Sequence, residues 1–347
     1  MTAMQTPSPT PPKRTGWIIY SVIATCLLLL SWLVCLTLFA LWIAEGSLRN
    51  VGKRHHYFEE IFVQGDTDTR NKIAVIYLSG LISSDYAGIV SEEGMVGDIK
   101  AQLDQAVQDK HVKAIILRIN SPGGEVVASD ALYNALAEVR DQHQKPIVAS
   151  MDSIAASGAY YVAMGASYII ASDLTLTGSI GVIMQTFGFS GLMDKIGVKS
   201  HTFKSGKYKD LLNPTREPTD DEKAMVNTLI MEVYDKFVGI VATERKLDAR
   251  ELKSSLADGR VLSGAQALRG KLVDQLGYFD DAVEKAKELA NIKKAKVITY
   301  QAPFSLGRFL RFFFAETPNR NLQVNLGAPL PKLQPGKLYY LPPYLFQ

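Results

Sequence analysis

The sequence predicts an α/β domain with a mostly parallel β-sheet, preceded by a single transmembrane helix. Two observations lead to this prediction. Apolar runs such as 72–78 and 112–119 alternate with amphipathic stretches such as 96–108, and near-continuous apolar strands separated by helices are typical of a parallel sheet covered on both faces. Residues 17–44 form an apolar run without a charged side chain, and at about 1.5 Å per residue this run can cross a hydrocarbon core of about 30 Å.

The apolar run divides the N-terminal part of the chain into three predicted segments. Residues 1–16 are polar and rich in proline, which predicts a disordered tail. Residues 17–44 are longer than the roughly 7–15 apolar residues of a cleavable signal sequence and lack an A-x-A site, so we expect an uncleaved anchor in the lipid bilayer. Residues 45–70 are polar and charged and are predicted to form a linker to a folded domain at 71–295.

The folded domain is predicted to continue with alternating strands and helices. Apolar runs predict strands at 146–151, 168–171 and 180–184. Helical spacing predicts a helix at 126–141 between them, and another helix directly after residue 157.

A longer helix is predicted to begin after Thr219. Thr219 and Glu222 form a capping-box pattern, and helical spacing continues from there to about Glu244. Apolar residues recur along one stripe of this helix, which predicts that the stripe packs against the core. The residues of this stripe are Met225, Leu229, Val233 and Val238.

Residues 296–347 are predicted to form an amphipathic and Pro-rich tail. Residues 304–314 combine phenylalanines with Arg308 and Arg311, so a position on the membrane surface and packing on a neighbouring subunit are both open. Residues 329–347 are rich in proline, which predicts an extended chain.

The charge balance and the cysteine content argue against several functions. The 38 basic and 35 acidic residues give a net charge of +3, whereas a nucleic-acid-binding domain would carry a basic stripe. Both cysteines, Cys26 and Cys35, lie in the apolar run, so no disulfide framework and no cysteine metal site are predicted. The five histidines show no metal-ligand spacing. We therefore expect no metal, no cofactor and no nucleic-acid partner.

A serine among small residues is the first candidate for chemistry. The apolar run 146–150 leads toward Ala155-Ala-Ser-Gly158, which a helix-like run follows. A serine at a sharp strand-to-helix turn has an exposed hydroxyl beside N–H groups without acceptors, which is the geometry of a nucleophile next to an oxyanion site. The residues of this stretch alone favour a structural role, in which Ser157 caps the helix.

Two glycines follow another predicted strand. In Asn120-Ser-Pro-Gly-Gly124, the strand 112–119 runs into Gly123 and Gly124. Paired glycines allow a backbone to approach a substrate carbonyl closely and to direct N–H groups at it. An ordinary Gly-rich turn is the alternative, since the spacing lacks the G-x-G-x-x-G and G-K-[ST] patterns of nucleotide-binding loops.

A cluster of lysines supplies candidates for a general base. Lys204, Lys207 and Lys209 lie within the segment 203–210, and a solvated basic loop is the more common explanation of such a run of charges. A lysine accepts the proton of a serine only when burial lowers its pKa from about 10.4 toward about 7–8.

Taken together, these stretches resemble peptidase family S49, the signal peptide peptidase A proteases. The similarity rests on the order and spacing of six short motifs across roughly residues 70–290: Asn120–Gly124, Ala155–Gly158, Leu176–Val182, Lys204–Asp210, Asp258–Val261 and Leu272–Gly277. The resemblance implies a Ser-Lys dyad of the short, single-copy form, with Ser157 as the nucleophile and Lys209 as the base. The spacing within Lys-Ser-Gly-x-x-Lys-Asp favours Lys209 over Lys204 and Lys207.

The resemblance also implies further site residues and an assembly. Ser179 matches the serine that hydrogen-bonds the lysine, with a structural serine in a turn as the alternative. We expect the N–H groups of Gly124 and Gly158 to bind the oxyanion. The implied fold is crotonase-like (Clp-protease-like), and the implied assembly is a homo-oligomeric ring, such as an octamer, in which neighbours contribute the serine and the lysine.

Location and substrate are likewise implied by the resemblance. It places the catalytic domain on the extracytoplasmic (periplasmic) side of the bacterial inner membrane, the tail 1–16 in the cytoplasm, and cleaved signal peptides in the site. General quality control of membrane proteins is an alternative. So are a non-proteolytic crotonase-fold enzyme acting on acyl-CoA, which would not need Ser157 or Lys209, and a proteolytically silent membrane scaffold.

Overall fold

The computed structural model describes residues 15–49, 58–84, 94–302 and 338–341. The chain divides into two units, Met1–His56 and Tyr57–Gln347.

The first unit contains one long helix, α1, at Thr15–Arg49. Within α1, Tyr20–Phe39 has a mean hydropathy of 2.6 and none of it is buried. By length and composition this helix is able to cross a membrane. The predicted apolar helix is therefore present, while residues 1–14 of the predicted tail lie outside the described residues.

The second unit alternates strands and helices through the residues that the structure describes. Its strands are β1 (Glu59–Gly65), β2 (Lys72–Ser79), β3 (Val112–Ser121), β4 (Gly124–Glu125), β5 (Ile147–Ala156), β6 (Tyr168–Ala171), β7 (Leu176–Gly178), β8 (Val261–Ser263), β9 (Gln275–Leu276), β10 (Lys296–Gln301) and β11 (Tyr339–Tyr340). Its helices are α2 (Gly94–Gln108), α3 (Val126–Asp141), α4 (Gly158–Ala163), α5 (Ser190–Ile196), α6 (Asp220–Arg245), α7 (Ala249–Ser255), α8 (Gly264–Arg269) and α9 (Phe279–Leu289).

One large sheet organises the second unit. Its main path runs in the order β1-β10-β2-β3-β5-β6-β9, with β7 paired to β5 and β8 paired to β7. The pairs β1–β10 and β7–β8 are antiparallel, and the other pairs in this sheet are parallel. The prediction of an α/β domain with a mostly parallel sheet is confirmed.

The sheet is covered on both faces, and the alternation of its strands shows how. Ile73 and Val75 of β2 pack with the apolar face of α9. The alternate residues of the same strand, Ala74 and Ile76, belong to a larger cluster on the opposite face, which includes residues of α2, α3 and α4. Because successive side chains of a strand point to opposite faces, strands buried on both sides must be apolar at nearly every position.

The sheet extends beyond the predicted domain limits of 71 and 295. β1 lies within the predicted linker 45–70, and β10 lies within the predicted tail 296–347. β1 is largely exposed and has only three consecutive apolar residues, 61–63, between polar ends, so it lacks the long apolar run of the central strands. β10 lies between β1 and β2 in the sheet, a pairing between distant residues that no local pattern encodes. Residues 304–314, predicted to be amphipathic, lie outside the described residues.

The predicted strand at 180–184 is wrong. The strand in this region is β7, and residues 179–182 have no regular structure. Gly178 and Ser179 have φ values of 73° and 50°, a left-handed conformation that ends the strand. The apolar character of the segment has another cause, since Ile180 is fully buried in the core.

Helix α6 begins as predicted but packs differently. Thr219 caps it, and the carboxylate of Glu222 accepts a hydrogen bond of 2.8 Å from the Thr219 N–H. The predicted burial of the whole stripe is wrong, because Leu229 is 42% exposed. The buried apolar residues of α6 lie in its C-terminal half, at Phe237, Val238 and Val241.

Candidate active site

Three of the sequence motifs meet at the carboxyl ends of neighbouring parallel strands. β5 pairs with β3 on one side and, over its last residues, with β7 on the other. The segments that follow these three strands therefore leave the sheet at adjacent positions. They carry Gly124 after β3, Ser157 after β5 and Ser179 after β7, and the carboxyl ends of parallel strands are where such sheets place their ligands.

Ser157 is the single residue between β5 and α4. Its φ of 54° and ψ of −117° lie outside the regions that side chains normally permit. Its N–H donates to the carbonyl of Gly178 at 2.8 Å, and its own carbonyl accepts from the N–H of Tyr161 at 2.9 Å. These bonds hold the residue in its strained conformation at the strand-to-helix turn.

The hydroxyl of Ser157 has no structural partner. Ser157 is fully buried, and among the described residues nothing hydrogen-bonds to its Oγ. Its side chain does not cap α4, so the hydroxyl does not fill the helix-capping role. Backbone strain and an unsatisfied buried hydroxyl both cost stability, and both are concentrated at functional sites.

The two glycines predicted to bind an oxyanion lie next to each other. A Cβ on Gly158 would lie 3.0 Å from the amide nitrogen of Gly124 and 2.6 Å from Oγ of Ser129. A Cβ on Gly123, which has a φ of 110°, would lie 2.7 Å from the amide nitrogen of Gly158. Gly158 begins α4, and the first N–H groups of a helix have no acceptor within it. The glycines thus open a space that is lined by backbone amides.

Ser179 lies beside this space in a second strained conformation. It is buried, has a φ of 50°, and donates its N–H to the carbonyl of Arg260 at 2.8 Å. Because β5 and β7 pair up to their last residues, Ser179 and Ser157 leave the sheet side by side. Within the described part of the chain, no hydrogen bond joins the hydroxyls of Ser157 and Ser179.

The structure of the single chain does not bring Lys209 to Ser157. Lys209 is exposed, and the buried Ser157 Oγ has no partner among the described residues. The other two lysines of the motif are ion-paired: Lys204 with Asp210 at 2.6 Å, and Lys207 with Asp221. Of the three lysines of the motif, Lys209 alone makes no ion pair with any described residue.

An arginine ties the lysine-bearing segment to the start of α6. Arg216 donates from Nε to Asp210 at 2.9 Å and from Nη1 to Glu222 at 2.8 Å. Hydrogen bonds from Arg216 and from the Thr219 backbone lower the pKa of Glu222 to about 2. The pKa of Asp210 is also lowered, by hydrogen bonds from Arg216 and Lys204.

The short C-terminal strand β11 lies against the site. It is antiparallel to β4, with Tyr340 opposite Gly124. On its other edge, Tyr339 and Ile183 exchange two backbone hydrogen bonds of 3.1 Å. The sequence did not predict this strand, because two residues show no periodicity and both pairings connect residues that are distant in sequence.

The side chain of Tyr340 fills an aromatic pocket. Its ring centroid lies 5.2 Å from that of Tyr161, with the rings stacked, and 4.7 Å from that of Phe237. Tyr161 donates its hydroxyl to Asp130 at 2.5 Å, and burial together with this bond raises the pKa of Tyr161. The pocket therefore presents neutral aromatic surface, and the hydroxyl of Tyr340 is buried without a hydrogen-bond partner among the described residues.

The described residues contain no group of three or more histidine, cysteine, aspartate or glutamate side chains placed to hold a metal ion. Cys26 and Cys35 are exposed and unpaired in α1.

Comparison with known proteins identifies the family. The sequence profile of peptidase family S49 matches residues 139–293. A protein of Methanocaldococcus jannaschii, provisionally named a protease, is 38% identical over 242 residues, which cover 69% of this chain and 77% of that protein. A protein of Enterococcus faecium, provisionally named signal peptide peptidase SppA, is 40% identical over 200 residues, or 58% of each chain.

A longer relative shares the same segment. The chloroplastic serine protease SPPA of Arabidopsis thaliana is 37% identical over 240 residues, which cover 68% of this chain but only 35% of the relative. The aligned segment thus spans from about a third to about three quarters of these relatives. Identity at this level over most of the Methanocaldococcus protein, with the match at residues 139–293, shows that the chain belongs to peptidase family S49 and is a serine-type peptidase.

Proposed function

We propose that the chain is a membrane-anchored endopeptidase in which Ser157 is the nucleophile and Lys209 of a neighbouring protomer is the general base. One observation carries the proposal: Ser157 is held in a strained turn, and its buried hydroxyl has no partner among the described residues. Adjacent glycines provide amides at the place where an oxyanion forms. A structural serine would satisfy its hydroxyl locally, whereas a nucleophile must leave it available.

The geometry supports a standard acyl transfer. Oγ of Ser157 attacks a peptide carbonyl, and the N–H groups of Gly124 and Gly158 donate to the oxygen as it becomes negative. Each such donor contributes roughly 2.7–4 kcal/mol to the transition state. The base accepts the serine proton and passes it to the leaving amine, after which water hydrolyses the acyl-enzyme. We assign Ser179 the role of orienting the lysine, since it leaves the sheet beside Ser157.

The base is proposed to come from another copy of the chain. Lys209 lies in the segment 187–209, in which several large apolar side chains are exposed. Phe187, Leu192 and Phe203 are at least half exposed, with Phe203 at 96%. Helix α5, in the same segment, has no buried residue. Several large apolar side chains exposed within one stretch of the chain support a protein interaction site, since large exposed apolar patches mark such sites.

A neighbour that covers this surface would also change the chemistry of its lysine. Burial in the interface disfavours the charged form of an ammonium group and therefore favours the neutral base. We propose a homo-oligomeric ring, of which an octamer is one form, in which each Ser157 meets the Lys209 of the next protomer. The sheet order and the added β7–β8 pair support a crotonase-like (Clp-protease-like) fold for each protomer.

We propose a location and substrates on the basis of α1 and of the names of the relatives. The exposed apolar helix supports a single-pass membrane anchor, and our proposal is that this membrane is the bacterial inner membrane, with the catalytic domain on the extracytoplasmic side. The name of the Enterococcus relative and the aromatic pocket beside Ser157 support apolar peptides as substrates, of which cleaved signal peptides left in the membrane are our first choice. Quality control of membrane proteins would use the same site.

Labelling with a serine-directed fluorophosphonate tests the nucleophile. We expect the detergent-solubilised full chain to be labelled on Ser157 and the Ser157→Ala variant to remain unlabelled. Ser129→Ala is the matched control, because Ser129 is also buried near the site but its hydroxyl donates to the carbonyl of Glu125 at 2.8 Å. Assembled, folded protein that is not labelled would favour the acyl-CoA enzyme or the silent scaffold.

Two further measurements test location and substrate. Protease protection in oriented vesicles should leave the domain accessible only from the extracytoplasmic side. A synthetic signal peptide should be cut much faster than a loop of a folded soluble protein. Equal cleavage of misfolded membrane proteins and signal peptides would favour quality control.

A further inference from the structure

The two amides of the proposed oxyanion site are oriented through the carbonyl groups of their own peptide units. In a planar trans peptide the C=O and the N–H point in opposite directions, so a bond that fixes the carbonyl also fixes the direction of the N–H. The N–H of Gly158 shares its peptide unit with the carbonyl of Ser157, which accepts from the N–H of Tyr161 at 2.9 Å. Tyr161 belongs to α4, so the first turn of this helix orients the amide of Gly158 without help from elsewhere.

The amide of Gly124 is oriented by a distant part of the chain instead. It shares its peptide unit with the carbonyl of Gly123, and this carbonyl accepts from the N–H of Ile82 at 2.8 Å. A hydrogen bond to the carbonyl also polarises the peptide unit and so strengthens its N–H as a donor. Both the direction and the strength of the Gly124 donor therefore depend on the position of Ile82.

Ile82 belongs to a segment, residues 80–84, that leaves β2 and runs along the turn that carries Gly124; we call it the exit segment. The N–H of Glu125 donates to the carbonyl of Ile82 at 2.8 Å. A Cβ on Gly124 would lie only 1.9 Å from that carbonyl oxygen, so this close approach requires a glycine. The side chain of Ile82 is fully buried in the core, which fixes the middle of the exit segment.

The side chain of Glu125 fixes the far end of the exit segment. Glu125 precedes α3, but its carboxylate does not cap this helix. Its Oε2 accepts from the N–H of Ser84 at 3.1 Å and from the hydroxyl of Ser84 at 2.5 Å, and its Oε1 accepts from the hydroxyl of Ser83 at 3.4 Å. Glu125 is only 7% exposed, and a buried carboxylate is costly unless its oxygens are hydrogen-bonded. The carboxylate and the two serines therefore hold each other in place.

We propose that Glu125 is a positioning residue of the oxyanion site. Its carboxylate holds the exit segment, the exit segment holds the carbonyl of Gly123, and the N–H of Gly124 is thereby directed at the carbonyl oxygen of the substrate. This inference rests on the peptidase activity and the oxyanion amides proposed above. It adds a residue that affects the transition state without touching the substrate.

The contacts indicate that Glu125 acts through its hydrogen bonds and not through its charge. The N–H and the hydroxyl of Ser84 bond to the same oxygen, which the carbonyl oxygen of a glutamine can replace. The amide group of that glutamine can still donate to the hydroxyl of Ser83. A negative charge beside Gly124 opposes the charge that develops on the substrate oxygen. Glu125→Gln should therefore keep kcat at the wild-type level or raise it.

Hydrolysis of a synthetic signal peptide by the full chain in detergent tests the positioning role. Glu125→Ala should lower kcat by about 10-fold or more, which is less than the roughly 100–1000-fold cost of removing a whole oxyanion donor. KM should stay nearly unchanged, because the amide acts mainly on the transition state. Ser84→Ala removes one of the bonds to Glu125 and should give a smaller loss of the same kind. If Glu125→Ala does not fold, an unchanged kcat in Ser84→Ala would overturn the inference.

Asp109→Ala is the matched control for the loss of a structural carboxylate. Asp109 lies just before β3, at the amino end of that strand, and accepts from the backbone N–H of His111 at 2.7 Å and from Lys72 at 2.9 Å. Gly124 follows the carboxyl end of the same strand. Asp109→Ala should therefore lower the thermal stability and leave kcat unchanged.

A peptide aldehyde gives a measurement that a purely structural role would not change. Its oxygen becomes an oxyanion when Ser157 adds to it, so its affinity depends on the oxyanion amides. In Glu125→Ala the inhibition constant of the aldehyde should rise by the same factor by which kcat falls. The inhibition constant of the matching peptide alcohol, which forms no oxyanion, should stay the same.

Fluorophosphonate labelling of Ser157 in the same samples separates the inference from the proposed function. Wild-type protein that is labelled and active, with a folded Glu125→Ala variant whose kcat and aldehyde affinity are unchanged, would overturn the inference and leave the peptidase intact. A Glu125→Gln enzyme as slow as Glu125→Ala would also overturn it, because the charge would then be the property that matters. Wild-type protein that is neither labelled nor active would overturn the proposed function, and the inference with it.

Discussion

The segment that carries Ser157 and the segment that carries Lys209 are built in opposite ways. Ser157 is fully buried at the carboxyl end of a central strand, with a backbone conformation fixed by bonds to its neighbours. Lys209 is exposed, in a segment where Phe203 is 96% exposed and α5 buries none of its residues. One chain thus completes the proposed nucleophile and the proposed oxyanion site, whereas the proposed base lies on surface that is suited to contact with another copy.

Substitutions at Ser157 should give the largest effect, and they test whether its strain belongs to function. Ser157→Ala should lower kcat/KM by about 10⁴-fold or more. Ser157→Gly should be equally inactive but more stable than the wild type by about 1 kcal/mol, because glycine adopts a φ of 54° without strain. Peptide hydrolysis and thermal unfolding measure the two properties. A glycine variant less stable than the alanine variant would contradict the strain argument.

Substitution of the three lysines tests the exposed segment. Lys209→Ala should lower activity by about 10³-fold or more, and Lys209→Arg should be as inactive because a guanidinium does not lose its proton at neutral pH. Lys207→Ala should keep most of the activity, since Lys207 pairs with the exposed Asp221. Lys204→Ala, which removes one partner of Asp210 and leaves Arg216 as the other, should also remain active. An active Lys209→Arg enzyme would exclude the lysine as general base.

Disruption of the exposed apolar surface should separate assembly from folding. We expect Phe203→Glu to shift the protein from oligomer to monomer and to reduce activity about 10-fold or more, because the charge prevents burial of this surface. Tyr278→Glu is the control, since Tyr278 is 69% exposed elsewhere in the sequence. Light scattering in detergent and peptide hydrolysis measure the result. A fully active monomer would show that each chain completes its own site.

Mixing two inactive variants tests whether the serine and the lysine of one site come from different chains of the assembled ring. Co-expression of Ser157→Ala and Lys209→Ala chains in equal amounts should restore about 25% of the wild-type activity, because random neighbours across a heterologous interface unite an intact serine with an intact lysine in a quarter of the sites. Each variant alone should stay inactive. Assembled mixtures without activity would mean that serine and lysine act within one chain.

The difference between the two segments also explains how much the sequence could predict. The motifs around Gly124 and Ser157 follow strands that local apolar runs predicted, so their meeting at one edge of a parallel sheet could be expected before the structure was known. Ser179 follows β7, a three-residue strand that the apolar runs did not predict. The local apolar pattern gave wrong predictions where the pattern and the burial of the side chains have different causes. Ile180 is apolar because it fills the core after a turn, and Leu229 belongs to a helical stripe that the core reaches only farther along α6, at Val238.

The pairings between strands that are distant in the chain could not be predicted from the sequence, for a different reason. β1 is an exposed edge strand, and β11 consists of two residues that pair with segments far away in the chain. Neither has a periodicity that a local window can detect. The aromatic pocket could not be predicted from the sequence either, because Tyr161, Phe237 and Tyr340 come from three distant parts of the chain.

The smallest expected effect concerns the arginine that holds the lysine segment to α6. Arg216 lowers the pKa of Glu222 from its ordinary 4.5 to about 2, so the folded state binds fewer protons than the unfolded state in this range. The contribution to stability is therefore present above about pH 4.5 and is lost as the pH falls toward 2. Hydrogen exchange of residues 204–222, measured from pH 6 to pH 2.5, should show protection that declines in this window. Arg216→Gln should weaken the pH dependence, because the hydrogen bond from the Thr219 backbone to Glu222 remains. Lys223→Gln, which breaks only an exposed pair with Asp220, should leave it unchanged; an equal change in both variants would show that the Arg216 pair does not fix the segment.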